Sequence, residues 1–299
     1  MSRVTSFSSS ALMLADVFDA QRALTRAQSQ IASGKKVQKA SDGPAEVVAS
    51  LDSRAQLRRS EQLDRNAGVA RQWLAASDGA TQSIIERVSA VRSLLIQANS
   101  APSGPNTRTA IADQINSLRQ SLIESANTTV LGRPIFSGTA GGQLAYDSTG
   151  AYLGDAGTVI VPVTRAVNLQ VARTGPEVFG VSNPSDPANG DLFQMLTSLS
   201  QAVMNGDSAA LTAGLSKLDT ATDRVQRVQV ELGSRLNQVN DLRSAAAAND
   251  TELKAAISQL EDIDLAEATI AFKSREASYQ AALQVTARII QPSLLDFLR

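Results

Sequence analysis

The sequence predicts a mainly α-helical chain: an elongated antiparallel long-helix bundle, coiled-coil-like, with its N- and C-termini paired and a β-rich domain inserted between the helical flanks. Three observations predict it. On both flanks the apolar residues recur at alternating steps of four and three, the seam of a helix that packs on another helix. Between residues 132 and 190 that rhythm gives way to Gly, Pro and short β-branched runs. Aromatic residues make up only 4% of the 299 residues while 43% are hydrophobic, so the apolar content is mostly Ala, Leu, Val and Ile, which suits thin seams better than a thick core.

The first helical seam runs through Met13, Val17, Ala20, Leu24, Ala27 and Ile31, and Ser33-Gly34 ends it. A connector, Lys35 to Asp42, follows. Asp42-Gly43-Pro44 reads as a helix start, with Asp42 capping free amides and Pro44 tolerated in the first turn. The next seam is long, through Leu63, Ala67, Ala70, Leu74, Ser77, Thr81, Ile84, Val88, Val91, Leu95 and Ala98. A continuous helix from Ala45 to Asn99 would measure about 80 Å at 1.5 Å per residue. Pro102-Ser103-Gly104-Pro105 breaks it, and a shorter helix from Thr107, carrying Ile111, Ile115, Leu118 and Leu122, is expected to run back antiparallel.

The β-branched runs of the insert are Thr158-Val159-Ile160-Val161 and Val167-Asn168-Leu169-Gln170-Val171, the second with a period of two. Ser182 to Pro187 reads as the exit loop. Helix resumes at Asp191 with Leu192, Leu196, Leu199 and Val203, and breaks at Asn205-Gly206. A second long seam follows through Leu211, Leu215, Leu218, Thr222, Val225, Gln229, Leu232, Leu236 and Val239; beyond the Ala245–Ala248 patch it restarts at Leu253, Ile257 and Leu260. The chain closes with Phe272, Tyr279, Leu283, Ile290 and, past Pro292, Leu294, Leu295, Phe297 and Leu298.

This layout divides into a terminal helical assembly domain (1–41 plus 255–299), a long-helix rod domain (42–131 plus 191–254) and a β-rich outer domain (132–190). The inner seams, such as Ile84, Val88, Val91 and Leu95 or Val225, Leu232 and Leu236, read as core, with Trp73 as a packing anchor. The terminal seams have no further local sequence to cover them. A single seam of about 30 residues buries too little to offset its ordering entropy. Both ends are therefore expected to be mobile in the free monomer and to order against neighbouring subunits. The expected subunit interface is Met13, Val17, Leu24, Ile31, Phe272, Tyr279, Leu283, Ile290, Leu294, Leu295, Phe297 and Leu298.

Composition narrows the function classes. The 28 basic and 29 acidic side chains give a net charge of -1 with no long block of either sign, which argues against nucleic acid. Zero His and zero Cys remove the commonest general base, the thiol nucleophile, disulfides and nearly all zinc chemistry. No catalytic residue, cofactor site or metal site is expected. Asp262 and Asp264 lack a nucleophile or phosphate loop and read as a solvated face. The Ser-rich N-terminus, interrupted by Asp16, does not read as a cleavable signal peptide, and no window has the apolar length of a membrane span.

Particular residues add a resemblance. Arg3-Val4-Thr5, Ile31-Ala32-Ser33-Gly34-Lys35-Lys36-Val37, Ala40-Ser41-Asp42-Gly43-Pro44, Asn66-Ala67 and Trp73-Leu74-Ala75-Ala76-Ser77-Asp78-Gly79-Ala80 form an ordered series. So do Asp264 to Ala268, Tyr279 to Leu283 and Ser293 to Leu298 at the other end. Together they resemble the flagellin superfamily. Ile135-Phe136-Ser137-Gly138-Thr139 and Gly175-Pro176-Glu177-Val178-Phe179-Gly180 are similar to the borders of the β domain in its hook-filament junction branch. Gly43, where the family usually has Asp, and Gln291-Pro292, closer to filament flagellin, depart from that branch.

The resemblance implies a structural subunit of the bacterial flagellum that joins the hook side to the filament. Its implied partners are further copies of itself, flagellin, another hook-associated protein and an export chaperone. It implies an extracellular location reached through the flagellar export route. Filament flagellin is the alternative, and a cytosolic coiled-coil scaffold is a second.

Overall fold

The computed structural model describes residues 2–100, 104–183, 185 and 190–290, with side chains described between 12 and 287. Among the described residues seven helices and four short strands follow in the order α1 (Ser2–Ser33), α2 (Pro44–Ser100), α3 (Pro105–Ala126), β1 (Thr129–Val130), β2 (Arg133–Pro134), β3 (Ile160–Pro162), β4 (Asn168–Gln170), α4 (Gly175–Phe179), α5 (Leu192–Asn205), α6 (Ser208–Glu261) and α7 (Leu265–Ile290). α2 has 57 residues and α6 has 54, lengths of about 85 and 80 Å. Among the described residues no helix is long and apolar enough to cross a membrane. The chain divides into two compact units, residues 1–59 with 249–299, and residues 60–248.

In the larger unit, every position of the α2 seam from Leu63 to Ala98 is buried or half-buried. Ile84, Val91 and Leu95 are fully enclosed with Ile115 and Leu122 of α3 and Leu218 and Val225 of α6. Trp73 is buried in the same core. Arg243 meets Asp64 at 2.7 Å, Gln229 meets Gln82 at 2.8 Å and Arg92 meets Asp219 at 2.7 Å. As α2 numbers rise the α6 partners fall, so the two helices run antiparallel in constant register. α3 turns back along α2, with Gln114 and Leu118 facing Ala90, Leu94 and Gln97 across an open cleft. It packs closely on α5, where the Ser200 hydroxyl donates to the Ala112 carbonyl at 3.2 Å.

The β-rich region consists of two two-stranded antiparallel sheets, β1-β2 and β3-β4. The second pairs Ile160 with Gln170 and Pro162 with Asn168, so the two β-branched runs face each other. Its strands number only three residues each; the period-two pattern is real but short.

Three local expectations are corrected. α3 begins at Pro105, two residues before Thr107, because proline's fixed φ suits the first helical position. Asp42 does not cap α2: its carboxylate accepts from Gln38 N at 3.3 Å and Lys39 N at 3.0 Å, folding the connector, while the Gly43 carbonyl accepts the first helical bond from Val47 N. The α6 seam runs through Leu253, Ile257 and Leu260 as expected, all half-buried, but the Ala patch before them is not a gap in it. The seam passes through Ala246 and Asp250, both half-buried, so small side chains thin it without breaking the helix. The exit loop expected at Ser182 to Pro187 lies largely outside the described residues.

Candidate assembly interface

The smaller unit contains α1 and α7, which pack against each other. Ile263 N donates to the Gly34 carbonyl at 3.0 Å, and the Arg275 guanidinium donates to the Ala23 carbonyl at 3.1 Å. Numbers rise on one helix as they fall on the other, so the pair is antiparallel. α1 stops where Gly34 turns left-handed at φ 69°, a conformation that costs glycine no Cβ clash.

All six α1 seam positions are buried or half-buried: Val17 and Ala27 are buried, Met13, Ala20, Leu24 and Ile31 partly so. On α7, Phe272 and Tyr279 are half-buried. Leu283 stands off the seam at 42% exposure, because the buried track passes through Ala282 and Thr286. Ile290 ends α7 with its side chain outside the described atoms, and Leu294, Leu295, Phe297 and Leu298 lie outside the described residues.

Apart from Leu283, the large apolar side chains that α1 and α7 leave to solvent among the described residues are ones outside the expected seams. Leu12, Leu14 and Phe18 on α1, and Leu265, Ile270 and Val285 on α7, are all about half exposed or more. Periodicity passed them over because it finds the strip facing one partner. The available signal was Leu14 and Phe18, one step past Met13 and Val17, which extend the apolar strip sideways by a repeat of four.

Where α1 and α7 meet the ends of α2 and α6, two connectors cross. Lys36 N donates to the Glu261 carbonyl at 2.7 Å, Lys35 and Asp262 form an antiparallel bridge, and the Lys36 ammonium donates to the Gln259 carbonyl at 2.9 Å. The Glu261 carboxylate is buried, accepting from Arg54 Nε at 2.8 Å and pairing with the Lys35 ammonium. The Arg54 bond, with help from Lys35 and Ser50 against the opposing effect of burial, holds its pKa down to about 2. Asp262 and Asp264 are exposed, as expected of a solvated face, and Asp264 also caps α7 by accepting from Ala266 N at 2.8 Å. A polar groove of about 410 Å³ runs between α1 and the connector, lined among others by Arg22, Arg26, Lys39 and Asp42.

In the larger unit the structure shows why the two border motifs of the β region have the residues they do. Phe136 and Phe179 meet edge to face at 5.5 Å, Tyr146 packs on Phe179 at 5.3 Å and Phe193 on Tyr146 at 4.9 Å. Gly175 N donates to the Phe136 carbonyl at 2.9 Å, and a Cβ on Gly175 would strike the Tyr146 hydroxyl. Gly138, at φ 70°, leaves room for Asp155, whose carboxylate accepts from Thr139 N at 2.7 Å. The entry and exit of the β region thus close on each other around four aromatic rings.

Long antiparallel flanks, an α1–α7 pair carrying exposed apolar residues and a small β region between them define a flagellin-type helical subunit. The models of the bacterial flagellin N-terminal and C-terminal helical regions match residues 4–140 and 215–298, and the chain belongs to the flagellin superfamily. It is 26% identical to flagellar hook-associated protein 3 of Escherichia coli over 85% of this chain and 86% of that protein. It is 22% identical to flagellin of Bacillus subtilis over 90% and 91%. Among solved structures, FlgL of Bacillus cereus shares the fold with a TM-score of 0.60 at 21% identity, covering 69% of this chain and 99% of that one.

Proposed function

We propose that this chain is the flagellar subunit that joins the hook side to the flagellin filament. The observation that carries the reading is the pairing of flagellin-type flanks with the Phe136 and Phe179 border motifs, which resemble those of the junction branch in sequence and meet each other in this chain. The higher identity to hook-associated protein 3 than to flagellin supports it over the filament alternative. Its work is structural: head-to-tail addition along a helical lattice, in which one face of the subunit meets its own kind or flagellin and the other a hook-side protein.

In this reading residues 1–41 and 255–299 form the assembly domain: the two terminal seams hold its helices together, and the exposed Leu14, Phe18 and Ile270 contribute the surface that neighbours cover. Neighbours complete the ordering of the ends, which α1–α7 packing and the connector bonds begin within one chain. The partners are further copies, flagellin, a second hook-associated protein and an export chaperone, and the place of work is outside the cell, on the flagellum.

Immunogold labelling of isolated hook-basal bodies and filaments tests this. Label confined to the boundary between hook and filament is expected, together with intact hooks and flagellin released into the medium when the chain is deleted. Label along whole filaments would assign the chain to the filament, and label on neither would remove it from the flagellum.

A further inference from the structure

The crossing of the two connectors contains an arrangement that α1–α7 pairing does not require. Lys35 and Arg54 come from the N-terminal flank, and Glu261 lies more than two hundred residues later. One buried carboxylate thus receives both cations, and its own backbone carbonyl receives Lys36 N. The neighbouring bond from Ile263 N to the Gly34 carbonyl and the Lys35–Asp262 bridge lie on the same few residues.

We infer that Lys35, Arg54 and Glu261 form a charge-operated latch that pins both connectors at once and so fixes the α1–α7 pair to the adjoining ends of α2 and α6. A charged acceptor shared by two cations is worth more than a neutral one, and burial leaves it costly to strand. Removing the one negative charge releases two strands of chain rather than one. The long sequence separation adds a condition: the latch closes only when the C-terminal flank is present, so a chain lacking it keeps an unpinned N-terminal helix. This deepens the proposed function, yet it rests on geometry that stands whichever flagellar position the subunit occupies.

The charged and titratable groups around Glu261 set the pH sense. From the first connector come Lys35 and Lys36, from α2 Arg54, and from the second connector Asp262. Glu261 is the member whose charge the latch depends on. Its folded pKa lies below its ordinary value of 4.5, so the latch is closed at neutral pH and is lost as pH falls from about 4.5 towards 2.

The test is hydrogen exchange on the purified full-length monomer at neutral pH, comparing segments 34–43 and 262–264 with the α6 interior around Val225–Val239. Glu261→Gln is expected to speed exchange in both connectors by about tenfold or more, the equivalent of losing one charge-assisted hydrogen bond, with α6 unchanged. Lys35→Met and Arg54→Met are expected to give smaller rises, again in both connectors together. The exchanged pair Arg54→Glu with Glu261→Arg is expected to restore part of the protection. A rise in one connector only, no rise, or an equal rise throughout α6 would overturn the latch. None of these outcomes bears on the immunogold result.

Discussion

Asp191 shows how one residue can serve two opposed terms. Its carboxylate caps α5 by accepting from Gln194 N at 2.9 Å, yet the residue is 2% exposed and burial pushes its pKa above the usual 3.8. A raised folded pKa means that the charged form costs stability at neutral pH, a cost that disappears as pH falls through the folded pKa towards 3.8. Asn caps as well as Asp and brings no charge. Asp191→Asn is therefore expected to match or exceed the parent in urea at pH 7, by up to about 1 kcal/mol, and to lose that advantage near pH 4. Asp191→Ala, which deletes the cap, is expected to lose about 1 kcal/mol at pH 7. Equal losses in the two variants would show that the charge, and not the cap, is what α5 needs.

At the scale of elements, the β1–β2 hairpin turns on Leu131 and Gly132, both at positive φ, 51° and 77°. That is the geometry of a type I′ turn, which favours Asn or Gly at its first central position. Leu131 is 70% exposed, so it recovers little by packing. Leu131→Asn is expected to stabilise the free subunit by roughly 0.5–1 kcal/mol in denaturant unfolding. A loss instead would show that the leucine makes a contact worth more than the strain. Such turn chemistry was not legible from periodicity, whereas the seams were: from Leu63 to Ala98 and from Leu211 to Val239, each expected position faces inward. The seams were readable because a helix that buries one strip must repeat it. Asp42 was misplaced because the same carboxylate can satisfy amides of the connector or of the helix, and only the fold of Gln38 and Lys39 decides. The Glu261 latch was invisible for a related reason: its cations are distant in sequence and carry no spacing.

At the scale of the whole molecule, the question is what the exposed apolar residues of the α1–α7 pair are for. Single exposed leucines are ordinary on any surface. Here Leu12, Leu14 and Phe18 fall within seven residues of one helix, and Leu265 and Ile270 lie at the start of its partner, on a pair whose one seam already uses Val17 and Ala27. A side chain that solvent already reaches adds little to the stability of the monomer, so its removal separates assembly from folding. Phe18→Ser and Ile270→Ser, at 53% and 71% exposure, are each expected to change monomer unfolding by no more than about 0.5 kcal/mol. If they line the surface that neighbours cover, the double variant will be exported and folded yet fail to hold filaments on hooks, and flagellin will appear in the medium. Val17→Ser, on the buried seam at 8% exposure, should instead destabilise the α1–α7 pair itself, giving faster exchange along α1 in the monomer. Normal motility in the Phe18/Ile270 double variant would place the interface elsewhere on the subunit and leave the two terminal seams as contacts within one chain.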